Sequence, residues 1–217
     1  MDDPPVSART VSVAPERIST WIDGFADRHG AVQTSADESR VLLLGADGDR
    51  AWLELPFPPW EIPVSRVLTS LSVEVNRDRR VGVLLVRRGG YAAGVFHGAE
   101  LLSSKVGSGY VQGTTKAGGW SQQRYARRRD NQARAAFGQA ADVAARILVP
   151  EQDRIEALVL GGDQVAVTAT LSDPRLAALA ALAERRPRPL LAVADPRLKI
   201  LQATASQFRA VRIRLDP

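Results

Sequence analysis

The chain has 217 residues, of which 45% are hydrophobic and 24% charged, and it contains no cysteine. These values are typical of one globular core with a small annex, and the lack of thiols excludes disulfides, a thiolate zinc site and a cysteine nucleophile. The opening residues, MDDPPVSART, resemble no signal peptide, and no apolar run approaches the roughly 20 residues of a membrane span. We therefore predict a cytoplasmic protein that is not inserted in a membrane.

The first third of the sequence predicts a small α+β subdomain, residues 1–75. Residues 1–10 have the composition of a disordered segment. Apolar residues recur at helical spacing between 15 and 28, namely Ile18, Trp21, Ile22 and Phe25. Two strands are expected at 39–45 and 50–56, because the Asp47-Gly48 pair between them is typical of a hairpin turn. The proline-rich segment PFPPWEIP that follows indicates an extended chain.

Residues 76–217 predict a larger α/β domain. Three apolar stretches with short glycine-containing turns favour an antiparallel meander, and the Ala- and Arg-rich stretch after them favours a long helix. The expected elements are strands at 81–88, 91–98 and 98–107, a helix at 121–148, a strand at 154–162, a helix at 173–186, a strand at 189–195, and a helix from about 196 before a basic, alternating end. This is the element order of a ribonuclease-H-like fold, a mixed sheet covered by helices. The long helix should bury Ala133, Phe137, Ala140, Ala144 and Leu148.

Positive charge is concentrated in one segment. Between Lys105 and Arg134 there are seven basic residues and one acidic residue, a local charge of +6, whereas the whole chain carries +5. A codon bias towards arginine would explain the near absence of lysine but not this local clustering. Arginine side chains bind phosphate groups in a bidentate manner, so the segment indicates contact with a phosphate backbone.

Several chemistries are excluded or disfavoured by residue type. The strands at 81–88 and 91–98 contain no Asp or Glu, which a two-metal nuclease would need. His29 and His97 fall in no metal-ligand spacing, so we assign no metal site. The glycines around Gly107 form neither a dinucleotide fingerprint nor a Walker loop. The loop 114–123 has no Asp, Glu or His, which excludes side-chain proton transfer of the usual kind from within it.

The sequence GGWSQQ followed by RYARRRDNQA, within residues 107–132, resembles the active loop of the Vms-like release factors. This family is related to the middle domain of eukaryotic and archaeal peptide release factors, and the resemblance is greatest to its actinobacterial and chloroflexi branch. It implies a ribonuclease-H-like, release-factor middle-domain-like fold from about residue 75 onwards. It also implies a metal-independent peptidyl-tRNA hydrolase without cofactor, which cleaves the peptide–tRNA ester on the ribosomal large subunit in rescue of stalled ribosomes.

The resemblance assigns roles to individual residues. Gly118 and Gly119 resemble the flexible glycines of the family loop, and Gln122 resembles its catalytic glutamine. Trp120 and Ser121 interrupt a simple Gly-Gly-Gln pattern, so the adjacent Gln123 is the alternative. The residues expected to contact RNA are Lys116, Trp120, Arg124, Tyr125, Arg127, Arg128, Arg129 and Arg134. A non-catalytic RNA- or ribosome-binding module is the competing interpretation, and a phosphoryl-transfer enzyme is a third. The sequence does not specify an oligomeric state.

Overall fold

The structure is a computed structural model that describes residues 3–5, 8–61, 65–87, 89–108 and 121–216, and the side chains of 121–134 lie outside this description. The strands are β1 (Arg9–Val13), β2 (Gln33–Ala36), β3 (Arg40–Leu44), β4 (Arg50–Glu54), β5 (Arg80–Arg87), β6 (Gly90–His97), β7 (Glu100–Gly107), β8 (Ala157–Gly162) and β9 (Val211–Asp216). The α-helices are α1 (Ile18–His29), α2 (Val67–Asn76), α3 (Ser121–Leu148), α4 (Gln164–Leu171), α5 (Ala177–Arg185) and α6 (Leu198–Phe208). These elements form two compact units, Met1–Asp78 with Ser206–Pro217, and Arg79–Ala205.

The first unit contains an antiparallel sheet of strand order β1-β9-β4-β3-β2. Its second strand, β9, comes from the end of the chain and pairs with β1 on one side and β4 on the other. The alternation of VRIRL explains this placement, because Val211 and Ile213 are buried while Arg212 is exposed. The last strand thus belongs to the first unit, although the sequence suggested only a basic, alternating end to the second.

The core of the first unit lies between this sheet and the two helices α1 and α2. The predicted helix at 15–28 is confirmed: a 3-10 turn at Pro15–Arg17 leads into α1, which buries Ile18, Ile22 and Phe25. The predicted hairpin is β3–β4, and Gly48 in its turn has a φ of 98°, a left-handed conformation that favours glycine. Helix α2 completes this core with Leu71 and Val75.

The second unit contains a mixed sheet of strand order β7-β6-β5-β8, in which β8 runs parallel to β5 and the other pairs are antiparallel. The mixed α/β fold class and the three-stranded meander are therefore confirmed. Helix α3 has the predicted bounds and packs on the sheet. Ala140, Ala144 and Leu148 are fully buried in its core and Phe137 packs against it, as expected, whereas the Ala133 side chain lies outside the described residues.

Two predictions about secondary structure were wrong. Residues 189–195 form no strand: Leu191 makes a single bridge to Gly161, and the carbonyl of Val193 instead accepts a hydrogen bond from the Arg87 side chain. Residues 9 and 10 belong to β1 rather than to a disordered segment. Strand β2 and helices α2 and α4 were not predicted.

No single helix among the described residues is long and apolar enough to cross a membrane. One pair, Gln164–Leu171 with Pro174–Arg185, reaches that length and composition only when taken together, across a bend of 90°.

Candidate functional site

The predicted site residues fall into two groups in the structure. Lys116, Gly118, Gly119 and Trp120 lie outside the described residues. The remaining residues belong to the helical backbone of the first half of α3, and their side chains are not described: Gln122, Gln123, Arg124, Tyr125, Arg127, Arg128, Arg129 and Arg134. Their roles stay predictions. The structure does describe the sheet edge at which the preceding strand ends.

Strand β7 ends at Gly107, in close contact with the ring of Tyr91. The two residues are register partners in the β6–β7 pair, and Tyr91 is buried. A Cβ added at Gly107 would lie 2.3 Å from Tyr91 Cε2 and 2.5 Å from its hydroxyl oxygen, which is closer than real Cβ atoms approach. Only glycine therefore fits where the chain leaves the sheet.

Helix α3 follows β7 in the chain and packs across the sheet. Its last turn leads into the 3-10 turn Val149–Glu151, where Glu151 pairs with Arg80 at the start of β5. The start of β5 lies at the edge opposite to Gly107, because β5, β6 and β7 alternate in direction. A helix of 28 residues is about 42 Å long, while a strand of eight residues spans about 27 Å. Helix α3 is thus longer than the strands on which it packs.

Gly107 lies at the end of the sheet where the parallel strands β5 and β8 have their carboxyl ends. A cavity of about 440 Å³ lies there, lined in part by Arg87, Gly162 and Asp163. Arg87 Nη1 donates to the carbonyl of Val193 at 2.6 Å, and its guanidinium lies 3.7 Å from the carboxylate of Asp195. Ligands in open α/β sheets bind at this kind of edge. The cavity at the ends of β5 and β8 was not predicted from the sequence, although the sequence Gly161-Gly162-Asp163 at the end of an apolar strand could have indicated it.

The polar groups at this edge have structural partners. Asp163 caps α4, since its carboxylate accepts hydrogen bonds from the backbone N–H groups of Val165 and Ala166. Gly162 has a φ of 105°, and a Cβ there would lie 2.2 Å from the carbonyl oxygen of Val86. Among the described residues that line this cavity, Arg87 is a half-exposed cation, and the one carboxylate, Asp163, already serves as the cap of α4.

A separate cluster in the first unit joins His29 to the β3–β4 turn. His29 Nδ1 lies 2.9 Å from Asp47 Oδ2 and 3.3 Å from Asp49 Oδ2. The hydrogen bond with His29 lowers the pKa of Asp47. Among the described residues, this is the one group of three His, Asp or Glu donors close enough together to hold an ion. Sequence spacing could not reveal it, because His29 and the turn belong to different elements.

The similarity of the chain to individual known proteins is weak. No curated protein matches the chain. Among solved structures, an archaeal translation termination factor, aRF1, has a TM-score of 0.44 at 16% identity, covering 92% of this chain but 66% of that one. The Vms1 mitochondrial localization core has a TM-score of 0.44 at 8% identity, covering 94% of this chain and 81% of that one. The chain thus matches less than two thirds of the length of the termination factor.

A family sequence model gives the decisive match. The model described as "Actinobacteria/chloroflexi VLRF1 release factor" matches residues 79–214, well over half of the chain. It confirms the resemblance predicted from the glycine- and glutamine-containing motif. The chain belongs to the Actinobacteria/chloroflexi VLRF1 release factor family.

Proposed function

We propose that this protein is a peptidyl-tRNA hydrolase of the release-factor type, which acts on the ribosomal large subunit of stalled complexes. Gln122, or Gln123 in the alternative register, orients the water that attacks the peptide–tRNA ester. Gly118 and Gly119 let the backbone approach the ester without the obstruction of a Cβ. The reaction requires neither a cofactor nor a metal ion.

One observation carries this proposal: in the chain, the segment with Gly118 and Gly119 follows the end of β7 and leads directly into α3, whose first residues include Gln122 and Gln123. Strand β7 ends at Gly107 against Tyr91, and helix α3 begins at Ser121. The 13 residues between them contain no Asp, Glu or His. An amide side chain and backbone N–H groups can position water by hydrogen bonding, and the activated ester needs mainly positioning and electrostatic stabilisation.

The distribution of charge between the two units supports contact with RNA through the second. The second unit has 19 basic and 10 acidic residues, a net charge of +9, while the first has 10 basic and 14 acidic residues, a net charge of −4. Six of the basic residues of the second unit lie between 116 and 134. A polyanionic partner is attracted by such a concentration of charge.

The arrangement of the second unit supports the finer fold assignment, ribonuclease-H-like and similar to a release-factor middle domain. Three antiparallel strands are followed by helix α3 and by β8, which joins the sheet parallel to the first strand of the meander. The lack of carboxylates on β5 and β6 and the capping role of Asp163 argue against a nuclease on this framework.

The proposal is tested by peptide release from purified peptidyl-tRNA–large-subunit complexes. Gln122→Ala should lower the release rate by about 100- to 1000-fold, as expected for loss of one well-placed polar group. Gln123→Ala should have a smaller effect, and chelators should have none. Co-sedimentation with large subunits serves as the control, and it should be nearly unchanged in both variants.

The outcomes separate the candidate functions. If Gln123→Ala is inactive and Gln122→Ala is not, the register is shifted by one residue. If both variants release peptide like the native protein, the role assigned to the glutamines is wrong. If the native protein binds subunits and releases nothing, hydrolysis is wrong and a non-catalytic ribosome-binding module takes its place.

A further inference from the structure

A groove runs through the first unit between helix α1 and the edge strand β1. It consists of two adjoining cavities of about 640 and 500 Å³, which share Val11, Trp21 and Arg28 in their walls. Val13 and Arg17 line one cavity, and Arg9 lines the other. The helix and the strand therefore run in opposite directions along the groove.

One face of α1 forms a wall of the groove. Trp21, Gly24 and Arg28 recur at intervals of three and four residues, which places them on one face of α1, and Arg17 lies one turn earlier, in the 3-10 turn that precedes the helix. Arginines stand at both ends of this face, with a partly buried indole between them. Gly24 has no side chain, and Nη1 of Arg28 lies 3.5 Å from the place that a Cβ at this position would occupy, so the guanidinium of Arg28 reaches the middle of this face.

The opposite wall is formed by the outermost strand of the sheet. Strand β1 pairs with β9 only, so within the described residues its other edge has no strand partner. Residues 11–14 all line the larger cavity. An unpaired edge presents alternating N–H and C=O groups that an additional strand can pair with.

Three arginines beside the groove have no acidic partner among the described residues, unlike several others of this unit. In the part of the chain that the structure describes, Arg9, Arg17 and Arg28 are exposed and form no ion pair. Three other arginines of the same unit are paired: Arg40 with Asp37, Arg209 with Glu16, and Arg212 with Glu54. The larger cavity thus has two arginines, Arg17 and Arg28, and no acidic residue among its described lining residues, whereas Asp49 and Asp216 line the smaller cavity together with Arg9 and Arg50.

We propose that this groove binds an extended acidic peptide segment of a partner protein, which adds as a strand to the open edge of β1. From Arg17 to Arg28 the helix face extends about 16 Å, the length of about five residues of an extended strand. Side chains alternate along a strand, so every second one faces α1. Acidic side chains four positions apart then meet the arginines at the two ends, and the apolar side chain between them contacts Trp21.

A peptide fits these walls better than RNA does. The backbone of an extended peptide satisfies the N–H and C=O groups of a strand edge, whereas RNA offers no regular set of partners for them. The negative charge of the unit as a whole also disfavours binding of a long polyanion. The two carboxylates of a short peptide interact mainly with the nearby groove arginines, because salt screens the more distant charges.

The test uses fluorescently labelled seven-residue peptides and the full-length protein. The peptide TETFTET should bind saturably, about tenfold more tightly than TKTFTKT, because only the former complements the arginines. A seven-nucleotide oligouridylate should not compete. Amide hydrogen exchange in β1 should slow on binding of TETFTET, since strand addition protects the N–H groups of the edge and a purely ionic contact does not.

Variants of the protein assign the binding to the groove. Arg17→Glu with Arg28→Glu should weaken TETFTET binding by at least about tenfold. Gly24→Leu should also weaken it, because a leucine fills the centre of the groove while favouring the helix. Arg66→Glu, an exposed arginine outside the groove, is the matched control and should bind normally.

Circular dichroism verifies that all variants remain folded. Several outcomes would overturn the proposal: no saturable binding of TETFTET at millimolar concentration, equal binding of the lysine peptide, unchanged binding in the double arginine variant, or displacement by oligouridylate. None of these measurements depends on peptide release, so they succeed or fail independently of the proposed hydrolase activity.

Discussion

The ring of Tyr91 occupies the space that a side chain at position 107 would need. The two residues face each other across the β6–β7 pair, and a Cβ on Gly107 would lie 2.4 Å from Tyr91 Cζ. Gly90 is close to the same point, because its own Cβ would lie 3.0 Å from the carbonyl oxygen of Gly107. These contacts fix the backbone where β7 ends and the glycine- and glutamine-containing segment begins.

We expect Gly107→Ala to destabilise this end of the sheet and to impair peptide release. The added methyl group must displace the buried Tyr91 ring or the strand, at a cost of about 1–3 kcal/mol in the free energy of unfolding. Under the proposed function the release rate should fall by at least about tenfold, since small displacements of a positioned group are costly. Urea denaturation and the release assay measure the two effects.

Two further variants make this prediction specific. Ser108→Ala, at the exposed neighbouring position, should have little effect on either measurement. Removing the ring in the double variant Gly107→Ala/Tyr91→Ala should make the alanine at 107 less damaging than it is in the native background. Equal damage in both backgrounds would mean that the Tyr91 contact does not set the requirement for glycine.

The second prediction concerns the packing of α3. Leu148 is fully buried in the core of the second unit, where the helix ends. Leu148→Ala removes apolar contacts and leaves a cavity, so the free energy of unfolding should fall by about 2–5 kcal/mol in urea denaturation. Arg146→Ala, on the exposed side of the same turn, should change it by less than about 0.5 kcal/mol. A Leu148 variant as stable as the control would contradict the packing of this helix on the sheet.

The third prediction concerns pH and Asp173. Hydrogen bonds from Arg175, first from its side chain and then from its backbone, lower the pKa of Asp173 from 3.8 to about 2. Because the pKa is depressed in the folded state, the stabilisation is complete above about pH 4 and is lost as the pH falls towards 2. Asp173→Asn should therefore be less stable than the native protein at pH 7, and the difference should shrink across this range.

Thermal unfolding at a series of pH values measures this difference. Asp153→Asn, at another exposed aspartate of the same unit, is the matched control and should leave the pH profile unchanged. A difference between native and Asp173→Asn protein that persists unchanged at pH 2 would show that the charge of this carboxylate is not the stabilising factor.

The elements that sequence alone predicted are those with a strong local pattern. The meander β5–β7 consists of apolar stretches separated by glycine turns, and α3 is a long Ala-rich stretch without proline, so its bounds were predicted correctly. The predicted helix at 173–186 corresponds to a 3-10 turn at Pro174–Leu176 followed by α5, and Asp173 caps the turn by accepting a hydrogen bond from the backbone N–H of Arg175. Each of these signals depends on residues close together in the chain.

What the sequence did not reveal depends on distant partners. Strand β1 shows a mostly exposed pattern and becomes a strand by pairing with β9, about 200 residues away in the chain. The stretch 189–195 is apolar enough for a strand, but the carbonyl of Val193 accepts a hydrogen bond from the Arg87 side chain instead of from a neighbouring strand. The cluster of His29 with Asp47 and the groove beside Trp21 likewise arise only when separate elements pack together.

The last prediction concerns the arginines at the start of α3. If the segment binds RNA through phosphates, the logarithm of the affinity for large subunits should fall steeply with the logarithm of the salt concentration. Replacing Arg127, Arg128 and Arg129 together by alanine should weaken binding and flatten this slope by about 0.7–0.9 for each phosphate that the variant no longer binds. Binding measured by co-sedimentation at several salt concentrations gives both quantities.

The control for the Arg127–Arg128–Arg129 variant must remove three positive charges from the second unit without changing the start of α3. Arg146, Arg197 and Lys199 are exposed residues of the second unit, and replacing all three by alanine lowers its net charge by the same three units. If binding responded only to the overall charge of the unit, both triple variants would flatten the slope equally, and the localised RNA interface would be wrong. Since screening confines the attraction to about 8–10 Å at physiological salt, we expect only the Arg127–Arg128–Arg129 variant to change the slope substantially.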